Sequence, residues 1–301
     1  MASVNVVLFG EIGVGKSSVI NLIAGRQIAS ISPDAQLCTL SPRRYSFPID
    51  GRVFHVWDTP GLDEPTAFGC SPYATVQGIL ELIQQLAQEG GVDLLVFCMR
   101  GGYLTVTTQH NHRLFNDLLC RSQVPVALVI NHLEREQDMN AWWTRNVSSL
   151  ETYGIKPVDH ACITGLPRHS KYRESKANIE RMLRGYDSQG KFSMPADVWI
   201  VEFLCSCGLF DLGGRDSKRE VHKVLTKQFK LKPEIVQKVV ESLSSGVRDN
   251  KPPGPNPVKV VSRPPFERWS VCGASDERRS EQSKNLQEGF VYFVRLSALF
   301  W

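Results

Sequence analysis

Residues 10–17 read GEIGVGKS, and they stand between an apolar run and an amphipathic one. The run before them is VNVVLF at residues 4–9, which has the β-branched composition of a buried strand. The run after them is SSVINLIAG at residues 17–25, which has the apolar spacing of a helix. A glycine-rich turn between a strand and a helix lets successive N–H groups point at one anion. The stretch therefore predicts an α/β domain with a phosphate-binding loop.

This loop matches the pattern G-x-x-x-x-G-K-[ST], in which each fixed position helps to hold a nucleoside triphosphate. We expect Lys16 to neutralise the β- and γ-phosphates and to act in catalysis, and the Ser17 hydroxyl to bind Mg²⁺. The alternative is a glycine-rich turn that has this spacing by chance. The residues expected to line the phosphates are Gly10, Gly13, Val14, Gly15, Lys16, Ser17 and Ser18.

A second motif, DTPG at residues 58–61, directly follows the apolar run RVFHVW. A carboxylate at the carboxyl end of a strand lies at the edge where such sheets bind ligands, so we expect Asp58 to hold Mg²⁺. The Gly61 N–H is expected to sense the γ-phosphate and to take part in catalysis. In the polar loop at residues 31–42, Thr39 is the candidate to complete the metal shell. The alternatives are an ordinary turn for DTPG and an ordinary loop residue for Thr39.

A third motif, NHLE at residues 131–134, follows the apolar run VPVALVI and stands where Ras-like GTPases have N-K-x-D. A carboxylate at Glu134 can accept hydrogen bonds from the N1–H and N2–H₂ groups of guanine, and adenine offers no such donor pair. Asn131 is expected to brace the loop or to reach the base. The alternative is that Asn131 and Glu134 cap the next helix. Thr164, at the end of DHACIT, is expected to back the base.

Along the chain, apolar runs alternate with amphipathic stretches, which is typical of βαβ units on a mostly parallel sheet of six strands. Asp50-Gly51 separates the second and third strands as a two-residue turn, so this pair is expected to be an antiparallel hairpin. Helices are expected near residues 16–25, 74–89, 108–121, 139–152 and 172–185.

The regular alternation stops after about residue 190, which divides the chain into residues 1–189 and a C-terminal extension at 190–301. Residues 216–246 have helical periodicity, and the Pro-rich stretch at 251–265 favours a disordered, extended backbone. We expect the extension to take no part in nucleotide binding.

Composition indicates a soluble, cytoplasmic protein. The net charge of +4 over 301 residues is too small to predict nucleic acid as a partner. Most of the eight cysteines lie inside apolar runs, which is typical of a reducing compartment. The N-terminus lacks the basic start of a signal peptide, and no apolar stretch has the roughly 18 residues of a transmembrane helix.

Together these motifs resemble fungal small GTPase-like G-domain proteins, which are similar to septin-like, Toc-like and plant and animal immunity-associated GTPases. The resemblance covers about residues 3–186. It implies a three-layer P-loop NTPase G domain that binds GTP and GDP with Mg²⁺, and related domains form nucleotide-dependent homodimers. The fungal group has T-G-L-E at the base loop, from which Asn131 and His132 depart while Glu134 agrees. The matching strings are GEIGVGKSS, LCTL, WDTPGL, LLVFCMRGG, VINHLE, WW-x-x-N and HACIT.

Leu62 occupies the place where Ras-like proteins carry the glutamine that orients the attacking water. The leading interpretation is therefore a guanine-nucleotide switch that hydrolyses GTP slowly and is activated by dimerisation. A P-loop ATPase and a nucleotide-binding scaffold without turnover are the alternatives.

Overall fold

The computed structural model describes seven stretches of the chain. Thr39, Gly61, Leu62 and the Pro-rich stretch at 251–265 lie outside them, so the predictions made for these residues stay predictions. The described residues are 3–30, 41–59, 72–186, 190–206, 222–223, 225–227 and 231–244.

The domain is built on one six-stranded sheet in the order β2-β3-β1-β4-β5-β6. Four neighbouring pairs are parallel, and β2 with β3 is the antiparallel pair. The predicted mostly parallel six-stranded sheet is confirmed. The strands are β1 Ser3–Phe9, β2 Arg43–Ile49, β3 Arg52–Asp58, β4 Leu94–Arg100, β5 Val126–Asn131 and β6 His160–Cys162.

The predicted hairpin between β2 and β3 is present. Asp50 and Gly51 have φ angles of 48° and 73°, the left-handed pair of a type I′ turn. This turn has the twist that two antiparallel strands need, so local sequence chemistry fixes the register from Ile49 opposite Arg52.

All five predicted helices are present, and the third has a form that periodicity did not predict. Helix α3 begins earlier than expected, and from Leu114 to Leu119 the chain continues as a π-helical segment. The helices are α1 Lys16–Ala24, α2 Pro72–Gln88, α3 Val106–Arg113, α4 Asn140–Thr152, α5 Tyr172–Gly185, α6 Ala196–Ser206 and α7 Pro233–Ser244.

Both faces of the central strands β1, β4 and β5 are buried, which is why these strands are almost continuously apolar. On one face, alternate residues such as Val6 and Leu8 pack in a cluster with Ile20 of α1 and Ile179 of α5. The intervening residues are equally buried, and Phe9 among them stacks on an aromatic ring of the π-helical segment. Helices therefore cover a central sheet, and the carboxyl ends of the parallel strands meet along one edge.

The chain divides into two compact units, Met1–Glu202 and Phe203–Trp301. The first unit includes residues beyond 189, because Phe192 forms a short antiparallel bridge with Val92. The assignment of residues 190–301 to an extension that takes no part in nucleotide binding stays a prediction. In the described part of the chain, no helix combines the length and the apolar character needed to cross a membrane.

Acid should destabilise the first unit through His112, whose side chain is only 6% exposed. Burial lowers the pKa of His112 from its ordinary value of 6.5. The unfolded chain therefore binds this proton at a pH where the folded chain does not, so stability falls as pH drops below about 6.5 towards the lowered folded pKa. We expect His112→Phe to reduce the pH slope of the unfolding free energy by up to about 1.4 kcal/mol per pH unit.

The measurement is urea unfolding of the full chain between pH 7 and pH 5. Equal slopes in the wild type and in His112→Phe would contradict the expectation.

Candidate functional site

The loop between β1 and α1 has the backbone that a phosphate cradle requires. Gly10, Gly13 and Gly15 have φ angles of 145°, 76° and 95°, which L side chains rarely adopt. Close packing adds a second constraint at two of them. A Cβ atom at Gly10 would lie 2.1 Å from the carbonyl oxygen of Cys98, and one at Gly15 would lie 2.1 Å from Nδ2 of Asn131. Backbone conformation therefore favours glycine at all three positions, and close neighbours also exclude a side chain at Gly10 and Gly15.

The Lys16 side chain folds back onto this loop, and the residue is only 7% exposed. Its ammonium group donates to the carbonyl oxygens of Gly10 at 3.0 Å and Glu11 at 2.9 Å. A buried ammonium needs such acceptors, and phosphate oxygens can replace them with a stronger, charge-assisted bond. The structure thus holds the Lys16 cation at the loop that the sequence assigned to phosphate.

Ser17 and Asp58 come together at the first turn of α1, although they belong to different motifs. The Ser17 hydroxyl donates to Oδ2 of Asp58 at 2.9 Å, and Asp58 is 1% exposed. The next residue, Thr59, donates from its hydroxyl to the Leu8 carbonyl at 2.8 Å and fixes this end of β3 beside β1. Hydroxyl and carboxylate oxygens are the ligands that Mg²⁺ prefers. The donor set therefore fits Mg²⁺.

Asn131 ties the phosphate loop to two other loops. Its Nδ2 donates to the Val14 carbonyl at 2.9 Å, and its Oδ1 accepts the Gly165 N–H at 2.9 Å. Helix α4 begins only at Asn140 and has no side-chain cap, so the alternative that Asn131 and Glu134 cap this helix is wrong. Asn131 braces the loop, as one of the two sequence interpretations proposed.

Glu134 has a carboxylate oxygen, Oε2, that is buried and has no hydrogen-bond partner among the described residues. Such an oxygen is costly to bury unless a ligand supplies a donor. Two positions earlier, His132 adopts a φ of 64° and its Nε2 lies 3.3 Å from the Gly13 carbonyl. Burial, followed by the nearby Arg100 cation, lowers the pKa of His132.

Two further predicted residues, Thr164 and Ser18, lie at the loop that follows β6. Thr164 is fully buried, and its hydroxyl accepts the Leu166 N–H at 3.4 Å. A Cβ at Gly165 would lie 2.8 Å from Cβ of Ser18, so the loop after β6 packs directly on the start of α1. Behind the loop, burial raises the pKa of the Cys98 thiol to about 12, which keeps this thiol unreactive.

Sequence reasoning missed two contacts of this site. It gave no role to Glu11, whose carboxylate binds hydroxyls at the start of α3, and it did not foresee that His132 would contact Gly13. Glu11 stands at a position where its motif accepts any residue, and His132 departs from the lysine of N-K-x-D, so the motifs predict no contact for them. The one available signal was the charge of Glu11 in a loop assigned to anionic phosphates.

Comparison with known proteins agrees with this geometry. Residues 5–132 match the family described as MMR_HSR1, 50S ribosome-binding GTPase. The chain is 26% identical over 205 residues to GTPase Der of Campylobacter concisus, a match that covers 64% of this chain and 41% of that protein. It is 35% identical over 100 residues to translocase of chloroplast 33 of Arabidopsis thaliana, covering 33% and 31%. It thus spans less than half of each relative.

Two solved structures are similar to the chain at a lower level of identity. Toc33 from Arabidopsis thaliana in complex with GDP and Mg²⁺ is 18% identical with a TM-score of 0.45, covering 62% of this chain and 87% of that one. Era in complex with MgGDPNP and a segment of 16S ribosomal RNA is 15% identical with a TM-score of 0.47, covering 81% and 87%.

Residues 3–186 have the fold of a P-loop G domain, with a six-stranded, mostly parallel sheet. Within that class the chain is similar to the Der and Era GTPases and to Toc33. The predicted G-domain fold and Toc-like resemblance are confirmed, while fungal origin and septin-like similarity stay predictions.

The close approach at Gly10 predicts a large difference between two glycines of the same loop. Gly10→Ala places Cβ against a backbone oxygen that cannot turn away, whereas Gly13→Ala meets nothing within 4 Å and adds only φ strain. We expect Gly10→Ala to lower the free energy of unfolding by at least about 2 kcal/mol more than Gly13→Ala. Urea unfolding without nucleotide measures both, and equal losses would contradict the described packing.

Proposed function

We propose that this G domain is a guanine-nucleotide switch that binds GTP and GDP with Mg²⁺ and hydrolyses GTP slowly. The observation that carries the proposal is the buried Oε2 of Glu134, which has no hydrogen-bond partner among the described residues. This oxygen belongs to the loop that contacts the phosphate cradle through Asn131 and His132.

The phosphate end of the proposal is supported by Lys16, Ser17 and Asp58. Phosphate oxygens would replace the two carbonyls that now accept from Lys16, because a charge-assisted bond is stronger than a bond to a neutral acceptor. Ser17 and Asp58 would hold Mg²⁺, with Thr39 as the proposed further ligand. Bound Mg²⁺ supplies neutralisation of the charge that develops on the β- and γ-phosphates.

The base end of the proposal distinguishes guanine from adenine. Guanine presents the N1–H and N2–H₂ donors to a carboxylate, and these would satisfy the Glu134 oxygens. Adenine has the acceptor N1 in place of the N1–H donor, so it cannot supply two donors to the carboxylate and would leave one of its oxygens unpaired. GTP preference follows from the cost of leaving that carboxylate unsatisfied.

Slow hydrolysis is proposed because Leu62 cannot orient a water molecule as glutamine does. Arg44, near the start of β2, forms an ion pair with Glu89 and is occupied elsewhere. The catalytic set would then be completed by a second copy of the domain, in a nucleotide-dependent homodimer. The similarity to proteins named as GTPases supports the chemistry, while the rate, the dimer and a cytoplasmic location are part of the proposal.

Glu134→Ala should weaken binding of GTP about ten- to a hundredfold and leave binding of ATP unchanged, because only the guanine edge is contacted there. Lys16→Ala should weaken binding of both nucleotides, since it removes a cation from the phosphates. Titration of the purified full chain with labelled GTP and ATP measures both effects. Glu136→Ala is the matched control, because that partly exposed carboxylate is already paired with Arg145.

Equal binding of GTP and ATP by the wild type would contradict guanine preference and would favour the ATPase alternative. Unchanged GTP affinity in Lys16→Ala would show that the loop does not cradle phosphate.

Turnover per molecule should rise with protein concentration if a second copy completes catalysis. At the lowest concentrations we expect the slow intrinsic rate of Ras-like domains, about 10⁻⁴ to 10⁻³ per second. Specific GTPase activity across a hundredfold range of protein concentration measures this. A fast rate that does not change with concentration would contradict both slow intrinsic turnover and activation by dimerisation.

A further inference from the structure

Glu11 is an acidic residue inside the phosphate loop, and its side chain is held by another element. Its Oε1 accepts the Thr105 hydroxyl at 2.8 Å and also accepts the Thr108 hydroxyl. Its own carbonyl accepts the Lys16 ammonium at 2.9 Å. Glu11 therefore joins the cation of the phosphate loop to the start of α3.

The start of α3 is well suited to hold a carboxylate. The Thr105 hydroxyl accepts the Thr108 N–H at 2.9 Å and so caps the helix, and Thr108 is 5% exposed. An anion at the N-terminus of a helix is further favoured by the helix dipole. These contacts hold the Glu11 carboxylate at the start of α3.

A second, independent contact links the same two segments. Phe9, two residues before Glu11, stacks on Phe115 of the π-helical segment with ring centroids 4.5 Å apart. It also stacks on Phe97 of β4 at 4.8 Å. Gly10, between these anchored residues, has no room for a side chain beside Cys98. The first half of the phosphate loop is thus fixed from both ends by residues 105–119 and by β4.

We propose that Glu11 is a positioning residue for phosphate binding, which it serves by fixing the phosphate loop to α3 through the hydroxyls of Thr105 and Thr108. The proposal rests on the proposed nucleotide-binding function. It makes the segment at residues 105–119 part of the machinery that sets affinity, although no motif lies in it. The opposite view is that the Glu11 charge only repels phosphate.

The two views predict opposite signs for one substitution. If Glu11 positions the loop, Glu11→Ala weakens binding of both GDP and GTP by about tenfold, the loss expected for hydrogen bonds to a charged acceptor. Glu11→Gln keeps the acceptor oxygen, so its affinity stays within about threefold of the wild type. If the charge only repels phosphate, both substitutions strengthen binding.

The experiment is a mutant cycle on the full chain, read as GDP and GTP dissociation constants well below the unfolding temperature of each variant. Thr105→Val combined with Thr108→Val should weaken binding as Glu11→Ala does. Adding Glu11→Ala to that pair should cost no more than about twofold further, because all three act through one linkage. The single substitution Thr105→Ser keeps the hydroxyl and should therefore keep the wild-type affinity. Glu180→Ala is the matched control, because this partly exposed carboxylate of α5 pairs only with Lys176 and Arg184 of the same helix among the described residues.

Each outcome decides one question. Losses that multiply independently, or tighter binding by Glu11→Ala or Glu11→Gln, overturn the positioning role. A wild type that binds GTP while Glu11→Ala binds it equally well also overturns this inference and leaves the proposed function intact. A wild type that binds no guanine nucleotide overturns the proposed function itself.

Discussion

The site depends on one side-chain amide. Asn131 donates to the Val14 carbonyl and accepts from the Gly165 N–H, so a single planar group sets the spacing of three loops. A side-chain amide donates from one atom and accepts at another without carrying charge. Its presence also explains the neighbouring glycine, since Gly15 lies too close to the amide for any side chain. The order of strands in the sheet brings Asn131, at the end of β5, to this position.

Around this brace the site buries opposite charges near one another. Lys16 and Asp58 are nearly inaccessible, and both influence the pKa of Cys98, in opposite directions. Burying charges costs free energy unless each finds a partner, and Lys16 and the Asp58 carboxylate meet this cost with hydrogen bonds inside the loop. A polyphosphate with its metal ion offers stronger partners in the same places. Because these side chains are already held in place, binding of the proposed nucleotide would require little further ordering of them.

The helical segment after β4 has a larger role in the site than its sequence suggests. It contacts the phosphate loop through hydroxyls at its start and through an aromatic stack at Phe115. The π-helical turns place Phe115 where it stacks on Phe9, and such turns are frequent near functional sites. The second face of the sheet therefore shapes the same loop that β5 braces from the other side.

The sequence by itself determined the local features of this protein. Glycine spacing predicted the phosphate loop, apolar runs predicted all six strands, and Asp50-Gly51 predicted the hairpin, because each depends on backbone preferences within a few residues. The α-helix that was expected over the Leu114–Leu119 segment proved to be π-helical, since a periodicity of 3.6 residues does not report i to i+5 hydrogen bonds.

Only the tertiary structure decided which of these features meet. The Asn131 bond to Val14 spans 117 residues of chain, and the Glu11 bond to Thr105 spans 94. Whether Asn131 braced a loop or capped a helix was open in the sequence, because both uses suit the same side chain. The sheet order settled it by placing the end of β5 two strands away from β1, across β4, where the amide reaches the phosphate loop. Contacts between residues so far apart along the chain depend on the order of the strands in the sheet, which no short sequence pattern encodes.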